Sequence, residues 1–263
     1  MSGDAVKPDD TVKFPVSTAE KPYRQEKTME CDEMFEKLKE EVCEKNLMLA
    51  KTGLITLTFG NLSVYDREAG VVAIKPSGVG YDELTPDKIP VMSIDGSVVE
   101  GNYRPSSDTE THLEIYRNFR SACSVIHTHS EFATAFAQAR REIPAYGTTH
   151  GDYFYGAIPC TREMTGAETE SDYEKNTGKV IVETFAEKDE SAVPGVLVCS
   201  HGPFVWGKNS NEALTHAVVL EQVAKMAFYT EFLGNRETMS RHLLDRHFFR
   251  KHGKNAYYGQ KNT

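Results

Sequence analysis

Ser124-Val125-Ile126-His127-Thr128-His129 is an apolar run that closes on two histidines. Its pattern reads as a strand, where residues two apart share a face, so both imidazoles point the same way. Two convergent neutral imidazoles are a ready pair of ligands for zinc or a similar ion, at about 2.0–2.1 Å each. The plainer alternative is two ordinary hydrogen-bonded histidines. A second run, Val196-Leu197-Val198-Cys199-Ser200-His201-Gly202-Pro203, again ends on a histidine, followed at once by Gly-Pro. Strand ends in α/β proteins are where sites are built, so His201 is placed to complete a three-histidine set with an open position for Lewis-acid chemistry. Cys199 is a rival ligand or a thiol packed among aliphatics. His150 is either a ligand or a loop hydrogen-bonder.

Helices and strands flank these runs. Phe35, Leu38 and Val42 recur at spacings of three and four, predicting an opening helix from near Cys31 with Gly53 as its stop. Residues 55–59 and 62–65 alternate like strands on either side of Gly60-Asn61. Further strands are expected at 71–74 and at 91–99, the latter turning at Asp95-Gly96. Asp108 is placed to cap a helix with Leu113, Tyr116 and Phe119 as its buried stripe. A short helix at 132–139, a helix ending at 180–186, a buried strand at 194–200 and a long helix at 211–233 complete the pattern. The fold class expected is α/β, one layered domain over residues 31–263. Residues 1–30 are polar, without periodicity, and read as a disordered tail.

The chain has 263 residues, 39% hydrophobic and 26% charged, an ordinary globular composition. Thirty Lys and Arg against 39 Asp and Glu give a net charge of −9. That excludes a non-specific partner among nucleic acids or anionic membranes, which need a basic surface. No apolar stretch approaches the ~18 residues of a membrane span, and no hydrophobic leader is expected. Five cysteines without a CxxC pair read as reduced thiols, so a cytoplasmic location is expected. Three loops combine small residues, hydroxyls and backbone N–H groups: Gly60-Asn61, Lys75-Pro76-Ser77-Gly78 and Arg104-Pro105-Ser106-Ser107-Asp108. Each reads as an anion holder or a plain surface turn. No dinucleotide or Walker-type loop occurs, so no nucleotide cofactor is expected.

In this order the segments resemble the class II aldolase and adducin head family, and within it the branch of L-ribulose-5-phosphate 4-epimerases. Those that carry the likeness include Leu57-Thr58-Phe59-Gly60-Asn61-Leu62-Ser63, Ile74-Lys75-Pro76-Ser77-Gly78-Val79, Pro105-Ser106-Ser107-Asp108-Thr109 and His127-Thr128-His129-Ser130. Gly147-Thr148-Thr149-His150-Gly151-Asp152, Ser200-His201-Gly202-Pro203-Phe204 and the closing Ala256-Tyr257-Tyr258-Gly259-Gln260 continue it. The resemblance implies a three-layer α/β/α domain with a mixed, mostly antiparallel sheet. It also implies a homotetramer with active sites between subunits, and arabinose or pentose catabolism as the setting. Further, it implies one divalent metal per subunit, most simply Zn²⁺, on His127, His129 and His201, with Asp108 as a further ligand, a helix cap or a group behind the ligands. Phosphate falls to Gly60, Asn61, Ser77, Gly78, Ser106 and Ser107, with Lys75 nearby.

The reaction so implied inverts C4 of a ketopentose phosphate. That carbon is not α to the C2 carbonyl, so simple deprotonation is ruled out. The remaining route cleaves C3–C4 by retro-aldol, turns the aldehyde and re-adds it to the other face. By resemblance, Asp152 and Tyr258 alternate as base and acid. A sugar-phosphate aldolase is the first alternative, and a non-catalytic adducin-like binding domain the second.

Overall fold

The computed structural model describes residue 1, residues 20–252 and residues 256–257, with side chains from residue 33 onward. Two compact units are distinguished, Met1–Glu36 and Lys37–Thr263. The described part of the first is helical, the opening turns of α1 (Glu20–Lys51). That helix starts eleven residues before Cys31, where apolar periodicity begins. Its early turns are charged and carry Pro22 at the third position, where a missing N–H costs little, so no amphipathic signal marks them. The tail expected before it falls mostly outside the described residues.

The second unit is built on a seven-stranded sheet in the order β4-β3-β2-β1-β5-β7-β6. Its strands are β1 (Gly60–Asp66), β2 (Val71–Ile74), β3 (Val91–Ser93), β4 (Val98–Glu100), β5 (Ser124–Thr128), β6 (Gly195–Leu197) and β7 (Pro203–Gly207). Every pairing among them is antiparallel. The helices that follow α1 are α2 (Thr109–Asn118), α3 (Glu131–Gln138), α4 (Thr148–Gly151), α5 (Gly166–Glu170), α6 (Tyr173–Thr184), α7 (Ser210–Phe232) and α8 (Arg241–Lys251).

β5 and β7 are buried along their whole length, as strands covered on both faces must be. On one face Trp206 packs against Phe119 and Phe185, at the ends of the paired helices α2 and α6. On the other, α7 lies across β5 and β7 and carries α3. The result is the expected three-layer α/β/α arrangement. Glu221 of α7 accepts hydrogen bonds from the Phe132 and Ala133 N–H groups, so one helix supplies the cap of the next.

Two local expectations change. Residues 55–59 form a turn rather than a strand, with the Phe59 N–H donating to the Thr56 carbonyl at 3.0 Å. Leu57 there has φ 56°, which breaks the extended run that alternation suggested. Gly60 therefore opens β1 instead of turning the chain. Its φ of 125° and the His127 carbonyl, 3.0 Å from where a Cβ would stand, explain the glycine. The second change is β7, a central strand that its opening Pro203 disguises. It follows a tight turn in which Ser200 adopts φ 60° and the Val198 N–H donates to the Gly202 carbonyl.

Candidate active site

Strand register assembles the site. Asn61 pairs with His127 across β1 and β5, and His127 with Phe204 across β5 and β7. Residues directly opposite on adjacent strands share a face, here the one covered by α2 and α6. His201 arrives from the turn before β7. Gly202 fits there because a Cβ would stand 2.7 Å from the Thr128 carbonyl. The ligand nitrogens of His127, His129 and His201 consequently lie within 4.8 Å of one another. Their ring centroids are 4.7–5.0 Å apart.

His127 is held twice. Its Nδ1–H donates to the Pro203 carbonyl at 3.0 Å, and its ring stacks on Phe204 at 4.2 Å. That bond fixes the tautomer and leaves Nε2, 3.0 Å from His129 Nε2, as the nitrogen with the lone pair. Burial pulls its pKa down to about 3 against the opposing Asp108 carboxylate, so the imidazole is neutral at physiological pH. Burial lowers His129 and His201 as well. His201 Nδ1 is buried without a hydrogen-bond partner. Three neutral, converging imidazoles suit a divalent first-row cation.

Asp108 occupies the N-cap position of α2 but makes no side-chain bond to the helix. Its carboxylate turns inward and accepts from Asn61 Nδ2 at 2.6 Å. Burial alone would raise its pKa. The His127 and His112 imidazoles, the Asn61 bond and His201 together hold it below the ordinary value. It stands outside the group whose ligand atoms meet. Asn61 also donates to Ser106 Oγ at 3.1 Å, tying two of the candidate loops together. The third joins through the backbone, Ser77 N–H to the Arg104 carbonyl and Ser106 N–H to the Lys75 carbonyl.

These groups face one cavity of about 340 Å³. Gly60, Asn61, Lys75, Ser77, Gly78, Ser106, Ser107, Asp108 and all three histidines line it. Lys75 is nearly fully buried, with Nζ donating to the Val79 carbonyl at 2.6 Å and lying over the Tyr81 ring. Burial lowers its pKa.

The two proton-transfer candidates lie elsewhere. Tyr258 falls outside the described residues. Asp152 is not among the residues lining that cavity. Its carboxylate is gripped by α8: His247 Nδ1 at 2.9 Å, Arg250 at 2.7 and 3.1 Å, and Lys251 at 3.4 Å. Burial would raise its pKa, but the Arg250 and His247 hydrogen bonds and the charges of Lys251 and Arg250 keep it low. His150 stands apart from the metal set, donating from Nε2 to the Gly156 carbonyl at 2.6 Å. Cys199 likewise stands outside it.

Sequence reasoning passed over several neighbours. Thr58, Phe59 and Tyr173 line the cavity, as does Glu174. His112, fully buried one helical turn after Asp108, bonds Ser63 Oγ through Nδ1 at 2.7 Å. The four-residue spacing from Asp108 on a helix was the signal that could have found it.

Three histidines able to hold a metal ion, beside a loop-lined polar cavity at one end of a covered antiparallel sheet, make up the candidate site. Residues 40–228 match the model of the family described as Class II Aldolase and Adducin N-terminal domain, and the chain belongs to that family. Among solved structures it is similar to an L-fuculose 1-phosphate aldolase, at 28% identity and a TM-score of 0.69 over 80% of this chain and 94% of that one. YgbL from Escherichia coli shares the fold at 24% identity and a TM-score of 0.64, over 81% and 98%. So does the l-fuculose-1-phosphate aldolase from Thermus thermophilus, at 24% and 0.60, over 77% and 98%. No helix among the described residues is long and apolar enough to cross a membrane.

Proposed function

We propose that this chain is a metal-dependent epimerase interconverting L-ribulose 5-phosphate and D-xylulose 5-phosphate. The observation that carries the metal and sugar-phosphate part of the reading is the meeting of His127, His129 and His201 with three loops in one cavity, and the Asp152 and Tyr258 motifs favour the epimerase. Bound by the histidines, a divalent ion, Zn²⁺ by preference, supplies Lewis acidity for the electrons leaving the C3–C4 bond. Asn61, Ser77, Gly78, Ser106 and Ser107 grip the phosphate, with Lys75 charged behind them. Their hold keeps the two-carbon aldehyde in place while it turns, so the fragments recombine rather than separate. Asp108, its carboxylate fixed by Asn61, serves as a further metal partner or as a group behind the ligands.

Inversion needs a proton-transfer group on each aldehyde face. One removes the C4 hydroxyl proton as C3–C4 breaks, and the other returns a proton to the C4 oxygen after re-addition. Asp152 and Tyr258 take these parts. The contacts that lower the Asp152 pKa keep it ionised, the form a base requires, while weakening its basicity. Its absence from the lining of its own chain's cavity supports a homo-oligomer, a tetramer by resemblance, in which each site borrows proton-transfer groups from a second copy. Residues 31–263 act as a single domain in this scheme.

A sugar-phosphate aldolase is the second reading, favoured by the 28% identical L-fuculose 1-phosphate aldolase. It would use the same cation and phosphate grip but release its fragments. Supplying L-ribulose 5-phosphate and analysing the carbon chains of the products separates the two. D-Xylulose 5-phosphate without net glycolaldehyde phosphate is expected; accumulation of the two-carbon fragment alone would establish the aldolase.

A further inference from the structure

The three histidines are not held alike. His127 has the Pro203 carbonyl on Nδ1 and Phe204 on its ring. His129 lies one residue past the end of β5 and is exposed. Among the described residues its ring nitrogens make a single contact, Nε2 to His127 Nε2 at 3.0 Å. Nothing therefore fixes its ring through the second nitrogen, the role a carbonyl or carboxylate usually fills for a ligating histidine. Besides the His127 and His201 rings it meets Phe59, stacked on the imidazole with centroids 5.8 Å apart and planes 24° from parallel.

Burial does not explain why Phe59 stands there, since the residue is 53% exposed. It closes the turn from Thr56, whose Leu57 is 79% exposed and adopts a left-handed φ of 56°. Such a backbone costs a bulky residue about 1–3 kcal/mol. This exposed turn bears strain, gains little from burial and presents an aromatic ring to a candidate ligand.

We propose that Phe59 is a positioning residue for the metal centre, acting in place of the missing hydrogen bond to hold the His129 ring in its ligating orientation. The inference rests on the metal reading of the three histidines and adds a residue to it. Loss of such a supporting contact typically weakens metal binding by about 10–100-fold.

The test uses the full-length chain, stripped with a chelator and titrated with Co²⁺ alone, followed by the visible absorption of the bound ion. Phe59→Ala should raise the apparent Kd at least about tenfold and change the band shape, while Phe59→Tyr should restore both. Thermal unfolding of the metal-free proteins should coincide, because the ring is half exposed. Wild-type affinity and spectrum in Phe59→Ala would overturn the inference while leaving the metal site standing. A drop in metal-free stability that accounts for the lost affinity would also overturn it, in favour of a structural role. Failure of the wild-type chain to take up Co²⁺ would remove the metal reading, and this inference with it.

Discussion

Asn61 shows how much one side chain can organise. It sits opposite His127 in the strand register, and its amide donates to both Asp108 and Ser106. A hydrogen bond to a carboxylate contributes about 1.5–3 kcal/mol, so Asn61→Ala should slow turnover of L-ribulose 5-phosphate by roughly 10–100-fold. Steady-state rates of a folded variant check this, and an unchanged kcat would separate Asn61 from the chemistry. At this scale the histidines were legible, because the two-residue spacing on a strand and a second run ending in histidine mark themselves in the chain. Phe59 and Tyr173 were not, since each joins the site through tertiary contact, and His112 was marked only by its spacing from Asp108. The ionic partners of Asp152 lie 95 to 99 residues along the chain from it, beyond any local pattern.

The junction of β1 with β5 is where an element's geometry becomes the site's. Gly60 has φ 125°, and a Cβ there would stand 2.5 Å from Ile55 Cδ1 and 3.0 Å from the His127 carbonyl. The side chain can yield; the carbonyl belongs to the strand pair and cannot move freely. Gly60→Ala should therefore cost about 2–3 kcal/mol, read as a lower urea midpoint. Wild-type stability would show that the strands have slack at this point. Alternation foretold β2, β5 and the β3–β4 hairpin well, because period two is a local property. It misread 55–59, where a left-handed Leu57 folds an alternating sequence into a turn. It also missed β7, whose extended state is imposed by pairing on both sides.

Across the whole molecule, several imidazoles are buried neutral. Burial lowers both His112 and His150 to about 4, with Asp108 opposing in the first case and the Gly156 carbonyl bond in the second. In the unfolded chain each titrates near ~6.5. Below that pH the unfolded state binds more protons, so stability is full above pH ~6.5 and falls as pH drops towards ~4. At pH ~5 the loss is about 2 kcal/mol per imidazole. The thermal midpoint of the metal-free chain should fall between pH 7 and pH 5; an equal or higher midpoint at pH 5 would refute the buried neutral assignment. The layered α/β class was readable from the sequence because mixed periodicities and an absence of repeats leave few architectures. Sheet order was not, because it is decided by pairings between distant segments.

Three imidazoles acting together as one cation site underlie the proposed chemistry. Metal stoichiometry by native mass spectrometry addresses this directly, using the full chain loaded with Zn²⁺ and desalted. The wild type should retain one ion per chain, and His127→Asn, which leaves an incomplete set, should retain none. An equal metal content in the two proteins would contradict the assignment of His127, His129 and His201.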